Sequence, residues 1–311
     1  MTTSAGETPA WAHGLGAQGY PTFVALIENY FSGRNIAVKL DAQEGLLRPQ
    51  AGDDEQSSVF GLQNIAQTCS QADRDQWHDL IRSHFDCIFA AGDEQNALRI
   101  DMSDFAKVRD SIRARLYPAE LQEQSVETVH RPGPEGTLEV IVVDLPKSVR
   151  TVSRSEAASW GVNRDALFDL GRRNLAERTL VALHTVETRA GIELLALMGD
   201  TFYAASHALI LGRHLPENLP HGALVSIPRR DVLLVHPIRN IGAADAISSM
   251  LQATIHWHAE GPGSLSPLLY WYVAGEFVTL DYTLTGNTLD FTPPDAFLDT
   301  LQMLSDRASL S

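Results

Sequence analysis

The second half of the chain contains three pairs of apolar stretches, each pair joined by a tight polar turn and followed by an amphipathic segment. The pairs are "ALHTVETRAGIELLALM", "ALVSIPRRDVLLV" and "LLYWYVAGEFVTLDY", which begin near Ala182, Ala223 and Leu268. Strands joined by tight turns pair antiparallel, and a helix after each pair can cover the resulting sheet. We therefore predict an α+β fold with a largely antiparallel sheet, built from successive β-hairpin–helix units with the helices on one face.

The first half is less regular and predicts a smaller N-terminal helix/hairpin lobe. "YPTFVALIENYFSG" places Phe23 and Phe31 on one face of a helix, and "NIAVKLDAQEGLLRP" has the pattern of two strands around a turn. A helical or mixed stretch then runs to Arg115, before two turn-rich segments that suggest a hinge. The predicted parts are a flexible N-terminal arm at 1–20, an N-terminal α+β lobe at 21–130 and a C-terminal α+β domain with the three hairpin–helix units at 131–311.

The balance of charges excludes several classes of partner. The chain has 24 basic and 39 acidic residues, which give a net charge of −15. This charge repels phosphate backbones and anionic membranes, and no apolar run approaches the roughly 20 residues of a membrane helix. The N-terminus lacks the positive region and apolar core of a secretory signal, and Cys69 and Cys87 are too few for a disulfide framework. We expect a cytoplasmic protein that binds neither nucleic acid nor membranes.

Sequence motifs for common cofactors and catalytic centres are missing or out of context. The segment from Gly14 to Gly19 matches G-x-G-x-x-G, but the strand that dinucleotide binding requires does not precede it. The chain has no G-x-S-x-G, no G-x-x-x-x-G-K-[ST] and no H-E-x-x-H. His84 and Cys87 share one side of a helix, but their apolar neighbours favour a packing role for the thiol. We therefore predict no cofactor, no metal and no catalytic residue.

The stretch "TIHWHAEGPG" contains a histidine pair of the kind found in metal sites. If the preceding helix persists, His258 continues its apolar face and His256 lies about 200° around the helix. Two ligands on opposite sides of a helix cannot hold one ion, so a helix that continues to about Ala259 argues against a metal site. An extended chain through His258 would instead bring both imidazoles to one side.

The polar turn in "IPRRDVLLVHP" is the strongest candidate for ligand binding. Either Arg229 or Arg230 could form a bidentate pair with Asp231, or could present its guanidinium to a carboxylate or phosphate of a ligand. His207 lies on a helix predicted at Thr201 to Arg213, where a histidine packed at the edge of the core is the ordinary interpretation. The candidate ligand-binding residues are Arg229, Arg230, Asp231, His207 and His236.

Four segments together resemble a bacterial family, the domain of unknown function 1444 or YtpQ-like proteins. They are "GLQNIAQTCSQADRDQWHDLIRSHFD", "LEVIVVDLPKSVRTVSRSEAASWGV", "GDTFYAAS" and "SIPRRDVLLV", and they occur in the same order over about Phe60 to Tyr282. The Arg230–Asp231 turn and the helix start at Gly199–Asp200 are the most specific parts. The resemblance implies a cytoplasmic bacterial protein, but it supplies no reaction, cofactor or catalytic residue.

These observations favour a cytosolic binding or regulatory protein without a catalytic centre, whose partner is an unknown protein or small-molecule ligand. The alternative is a hydrolase or transferase with a site assembled around the Arg229–Asp231 turn and nearby histidines. That alternative requires at least three of these side chains to converge in one pocket. A further possibility is a homo-oligomer that buries the aromatic residues of "LLYWYVAGEF" against a second copy.

Overall fold

The structure is a computed structural model that describes residues 8–50, 59–98, 101–121, 127–146, 148–187, 191–199, 202–216, 218–285 and 288–309. Helices and antiparallel sheets alternate along the chain, which confirms the predicted α+β class. The chain divides into two compact units, Met1–Arg99 with Glu260–Pro262, and Ile100–Ala259 with Gly263–Ser311. This division lies near residue 99, whereas the sequence places a boundary at 130. The difference arises because the strand at 112–118, on one side of the predicted boundary, pairs with the strand at 137–144 on the other side.

The first unit is a helical lobe with one small sheet. Its helices pack around a core rich in aromatic side chains, which includes Phe23, Phe31 and Phe85. The elements are a 3-10 helix (Ala10–Leu15), α1 (Gly16–Ser32), β1 (Val38–Asp41), β2 (Leu46–Pro49), β3 (Phe60–Gly61), α2 (Gln63–Ser70), a 3-10 turn (Arg74–Gln76) and α3 (Trp77–Leu98). The three strands form one antiparallel sheet.

The predicted flexible arm at 1–20 is helical from Ala10 onward. Ala12 and Leu15 are buried in the same core as Phe23. The many small residues of this segment make these two apolar contacts hard to recognise in the sequence. The G-x-G-x-x-G pattern spans the junction between the 3-10 helix and α1, and no strand precedes it among the described residues. Residues 1–7 lie outside the described part of the chain.

The second unit begins with a four-stranded antiparallel sheet. Its elements are α4 (Phe105–Val108), a 3-10 turn (Arg109–Ser111), β4 (Ile112–Pro118), β5 (His130–Pro132), β6 (Thr137–Asp144), β7 (Val149–Thr151), α5 (Arg154–Ser159) and α6 (Arg164–Arg178). Strand β6 is central and pairs with β4 along the whole length of β4, from Ile112 opposite Val143 to Pro118 opposite Thr137. The Ser153-x-x-Glu156 sequence has the pattern of a capping box, and both of its hydrogen bonds are present at the start of α5.

A seven-stranded antiparallel sheet follows, in the order β14-β13-β12-β10-β11-β9-β8. The three predicted hairpins are confirmed as β8–β9, β10–β11 and β12–β13. The bounds are β8 (Ala182–Glu187), β9 (Glu193–Met198), β10 (Ala223–Arg229), β11 (Val232–Pro237), β12 (Leu269–Val273), β13 (Glu276–Thr285) and β14 (Thr288–Thr292).

Both faces of this sheet are covered, which differs from the expectation of helices on one face. Helices α7 (Ala243–Glu260) and α8 (Asp295–Ser309) pack on the side of Leu234. A 3-10 helix (Ala205–Arg213) packs on the side of Leu233, where the sequence predicts an α-helix. The central strands are apolar on both sides, and burying only one side would leave the other in water.

The aromatic residues proposed for self-association lie inside the second unit. Tyr270 is fully buried on one side of the seven-stranded sheet, and Trp271 is 7 % exposed on the other. These two rings are therefore not available to a second copy, and homo-oligomerisation stays a prediction. No helix in the described ranges has the length and apolar character needed to cross a membrane.

Candidate functional site

Strand β4 presents a row of basic and aromatic side chains on one side of the four-stranded sheet. Alternate residues of a strand point to the same side, so Arg113, Arg115 and Tyr117 share one side while Ala114 and Leu116 share the other. We call the side that carries Arg113, Arg115 and Tyr117 the arginine face. Two arginines two positions apart on a strand place two guanidinium groups on the same side of the sheet. This is unusual on a partly buried surface, because arginine is seldom buried without an acidic partner.

Arg113 lies at one end of the arginine face and is only 6 % exposed. Its Nη1 donates to the backbone oxygens of Asp110, at 2.7 Å, and Ile112, at 2.9 Å. Its Nη2 lies 3.9 Å from a carboxylate oxygen of Asp144, which is beyond hydrogen-bonding distance. Its Nε is buried without a hydrogen-bond partner in the described part of the chain. Burial lowers the pKa of Arg113, and the charge of Asp144 opposes that shift.

Arg115 continues the arginine face and is bordered by aromatic rings rather than by acids. Its guanidinium carbon lies 4.9 Å from the ring centre of Tyr117, 5.3 Å from that of Phe202 and 6.0 Å from that of Tyr203. Its Nη1 donates to the hydroxyl of Tyr117 at 3.2 Å. Like Arg113, it has a buried Nε that lacks a hydrogen-bond partner among the described residues.

The β10–β11 turn brings a second arginine to the ring of Phe202. Arg229 and Asp231 form a bidentate ion pair with two nitrogen–oxygen distances of 3.0 Å. Arg230, between them, instead lies over Phe202, with its guanidinium carbon 5.5 Å from the ring centre. The sequence leaves open which arginine pairs with Asp231, and the structure assigns that role to Arg229.

The position of Arg230 is set by backbone contacts on both sides of the turn. Its N–H donates to the oxygen of Gly263 at 2.9 Å, and its oxygen accepts from the N–H of Ala205 at 3.1 Å. Burial lowers the pKa of the Arg230 guanidinium, and the nearby charge of Arg115 adds to that shift. No carboxylate within the described ranges forms an ion pair with Arg115 or Arg230. Both guanidinium carbons lie within 5.5 Å of the ring centre of Phe202, so they are at most about 11 Å apart.

A cavity of about 610 Å³ adjoins the Arg113 end of this group, and this volume lies within the range of small-molecule sites. Phe202 and Tyr203 line it and also contact Arg115, so the cavity and the Arg115–Arg230 pair share a wall. The hydroxyl of Tyr203 donates to Asp144 at 2.9 Å, which fixes the position of that carboxylate. The other lining residues are Asp110, Ser111, Arg113, Leu145, Pro146, Ser148, Arg178, Thr179 and Leu180.

The histidines predicted beside the turn have other partners. His207 is 2 % exposed, and its Nδ1 shares a hydrogen bond of 2.9 Å with Nε2 of His214. Burial and the charge of His214 lower the pKa of His207 to about 4. Its Nε2 has no hydrogen-bond partner in the parts of the chain described. His207 is thus a neutral core histidine, in agreement with the ordinary interpretation of its position.

His236 lies at the far end of β11 from the turn, where it pairs in register with Leu224. Its Nδ1 lies 3.1 Å from the backbone oxygen of Glu193. The structure therefore brings Arg229 and Asp231 together, but it places His207, His236 and Arg230 with three different sets of neighbours. The pocket that the hydrolase or transferase alternative requires is not formed by these described side chains.

The histidine pair near residue 257 is helical, as one of the two sequence interpretations expects. Helix α7 continues to Glu260, so His256 and His258 do not share a side. His256 is exposed, whereas burial lowers the pKa of His258. Across the described ranges, no group of three or more His, Cys, Asp or Glu side chains is placed to hold a metal ion. The predicted helix cap at Asp200 lies outside the described residues.

Sequence reasoning missed Arg113 and Arg115, although a signal for them is present. In "SIRARLYP" the apolar residues Ile112, Ala114 and Leu116 alternate with polar ones, which is the period of a strand. The sequence interpretation treats this stretch as helical or mixed, because arginine and leucine also favour helices.

No family model, no curated protein and no solved structure matches the chain. The chemistry of the site therefore has to be argued from its own geometry.

Proposed function

We propose that this protein binds a small anionic molecule at the arginine face and the turn next to it, and that it does so without a catalytic centre. The observation that carries the proposal is the pair formed by Arg115 and Arg230. The guanidinium carbons of Arg115 and Arg230 lie 5.3 and 5.5 Å from the centre of one aromatic ring, and no described carboxylate forms an ion pair with either group. A phosphate or carboxylate between them would supply the missing negative charge.

The cost of this arrangement without a ligand supports the proposal. Like charges near one another repel, and partial burial removes the water that would screen them. The chain has 39 acidic residues, so acidic side chains are abundant enough to have supplied a partner. A guanidinium left without one is stabilised when an oxyanion accepts two parallel hydrogen bonds from it.

The neighbouring aromatic groups limit what kind of anion fits. The ring of Phe202 is 42 % exposed and lines the cavity next to Arg113. A ligand with its anionic group between Arg115 and Arg230 could place an organic body against this ring and into the cavity. The Nε atoms of Arg113 and Arg115 are buried and lack a hydrogen-bond partner among the described residues, so this face holds donors that its own described acceptors leave unsatisfied. A cytoplasmic location and membership of the YtpQ-like family are further parts of the proposal, and they rest on the sequence alone.

The test is calorimetric titration of the whole protein with inorganic phosphate, pyrophosphate and succinate at constant ionic strength. We expect saturable binding of at least one of these anions. The Arg115→Gln/Arg230→Gln double variant should bind it about 10-fold or more weakly, since a hydrogen bond to a charged group contributes about 1.5–3 kcal/mol. Arg239→Gln is the matched control, because Arg239 is exposed and lies outside the site.

Two outcomes would reject the proposal. The first is that none of the three anions binds to the wild-type protein at millimolar concentration. The second is that the double variant and the Arg239→Gln control bind the anion equally well. Turnover of a bound phosphate ester, abolished by a single substitution on the arginine face, would replace the binding function by an enzymatic one.

A further inference from the structure

A second cavity lies between α5, α6 and the segment at 128–130, and it involves none of the residues of the proposed anion site. Its volume is about 520 Å³, which is within the range of small-molecule sites. The polar side chains that line it come from Thr128, His130, Arg154 and Arg164, and its other lining residues are apolar. No acidic side chain is among those that line the cavity.

The two arginines are held at the cavity by backbone oxygens rather than by carboxylates. Nε of Arg154 donates to the oxygen of Thr128 at 3.3 Å, and Nη2 of Arg164 donates to the oxygen of His130. Within the described ranges neither guanidinium forms an ion pair with an acid. Each uses one donor to fix its position, so most of the five N–H donors of each guanidinium remain for another acceptor.

The rest of the cavity is apolar. Val129 and Leu167 are buried parts of the core beneath it, and Ala157 and Val162 pack against the same core. An apolar wall favours the burial of hydrocarbon surface, at roughly 25 cal/mol per Å². Cationic and apolar groups therefore line the same cavity.

We propose that this cavity binds an amphipathic monoanion, with its oxyanion head at Arg154 and Arg164 and its apolar body against Val129 and Leu167. The charge of the lining decides the sign of the head group, because a cationic or zwitterionic head would meet two guanidinium groups and no acid. The apolar core beneath decides that the ligand carries a hydrocarbon body. The proposal is independent of the first site, since no lining residue is shared.

The probe is octanoate, which combines a carboxylate with a short hydrocarbon chain. Acetate supplies the charge alone, octanol the chain alone, and octylammonium the opposite charge. We expect calorimetric titration at constant ionic strength to show octanoate binding at least about 10-fold more tightly than each of the other three, since a charged hydrogen bond and apolar burial both contribute. Octanoate that binds no better than octanol would overturn the proposal.

Substitutions separate the head-group contact from the cavity itself. Arg154→Gln/Arg164→Gln should weaken octanoate about 10-fold and leave octanol unchanged, because only the head-group donors are altered. Ala158→Phe, at an exposed helix position on the cavity wall, should weaken both ligands by filling the space. Arg173→Gln on α6 is the control, because Arg173 is exposed and does not line the cavity.

The same variants define the results that would contradict this assignment. If the double variant weakens octanoate and octanol equally, the arginines act only through local structure. If Ala158→Phe binds octanoate as well as the wild-type protein does, the ligand lies elsewhere. If octanoate binding is lost in Arg115→Gln/Arg230→Gln but kept in Arg154→Gln/Arg164→Gln, it belongs to the first site.

Discussion

The two sides of the four-stranded sheet both carry buried or half-buried arginines, but they differ in whether those arginines bond to a carboxylate. On one side Glu139 of β6 is fully buried, and two arginines close on it. Nε of Arg131 donates to it at 2.6 Å, while Nε and Nη2 of Arg172 donate at 2.7 and 2.8 Å. On the arginine face Asp144 lies 3.9 Å from Arg113, and among the described residues it makes no hydrogen bond to Arg113 or Arg115.

The difference shows how a structural ion cluster is distinguished from the proposed anion site. Around Glu139 each carboxylate oxygen accepts from an arginine, so the cluster is complete without a ligand. On the arginine face two guanidinium nitrogens are buried without a hydrogen-bond partner among the described residues, and the aromatic neighbours cannot accept a bidentate bond. Completeness of hydrogen bonding, rather than the number of arginines, therefore separates the two sides.

The largest effect is expected at the complete cluster. Glu139→Gln removes the charge between Arg131 and Arg172 and should lower the free energy of unfolding by about 3–5 kcal/mol, because breaking a buried ion pair leaves its partners uncompensated. Urea denaturation followed by circular dichroism measures it. Glu177→Gln is the control, since Glu177 is an exposed residue of α6. A loss below 1 kcal/mol at Glu139 would mean that the two sides do not differ as described.

A pH effect of intermediate size is expected from His207, whose neighbour Ser206 accepts a hydrogen bond from Leu116 of β4. Burial and the charge of His214 lower the pKa of His207 from 6.5 to about 4 in the folded protein. Burial and the charge of Arg213 also lower the pKa of His214. The unfolded chain binds this proton first as the pH falls, so the contribution to stability is full above about 6.5 and is lost towards pH 4.

Between pH 7 and pH 5 this linkage predicts a loss of about 2 kcal/mol in the free energy of unfolding. His207→Gln should remove most of that dependence, whereas His184→Gln on the exposed strand β8 should keep it. Urea denaturation at the two pH values gives the four comparisons. An unchanged pH dependence in His207→Gln would show that the proton uptake occurs at another group.

A smaller loss is expected at Asp144, the acid whose charge acts most strongly on Arg113 among the described residues. Asp144→Asn should cost about 1 kcal/mol, because it removes a charge 3.9 Å from Arg113 but leaves an oxygen for the hydroxyl of Tyr203. The pair is part-exposed, which weakens its charge interaction. A loss as large as that at Glu139 would instead make Asp144 a full partner of Arg113. Thermal unfolding of both variants in the same buffer decides between these results.

The smallest effect on stability is expected at Arg115. Arg115→Met keeps the length of the side chain and removes a charge that lacks an acidic partner, so stability should change by less than about 0.5 kcal/mol or rise. Anion binding should nevertheless weaken about 10-fold, which separates function from stability at this residue. A large loss of stability with no loss of anion binding would make Arg115 a structural residue like Arg172.

The fold was predictable where one local pattern decided it. Hairpins around Arg230 and Gly275 follow from apolar strands that flank polar or glycine-containing turns, and Gly275 takes the left-handed conformation with φ +88°. The capping box at Ser153 is a four-residue pattern that needs no knowledge of the rest of the chain. The 3-10 helix after β9 was not distinguished from an α-helix, since both bury residues three positions apart.

The candidate site was only partly predictable. The turn sequence identified Arg230 as a possible ligand contact, but the choice between Arg229 and Arg230 depends on backbone geometry. The approach of Phe202 to both Arg115 and Arg230 joins three segments that are distant in sequence. No periodicity within one segment encodes such a meeting, so it is found only after the chain has been folded.

One consequence concerns how the site would be lost by mutation. Gly263 has φ +85°, and a β-carbon there would lie 2.8 Å from Cδ of Arg230 and 2.9 Å from its Nε. Any larger residue would therefore push the guanidinium away from Phe202 while both arginines stay in the sequence. A substitution at position 263 would therefore weaken the proposed anion binding, although Gly263 is not itself one of the proposed ligand contacts. In related sequences, a glycine at this position would thus indicate whether the proposed anion site is intact.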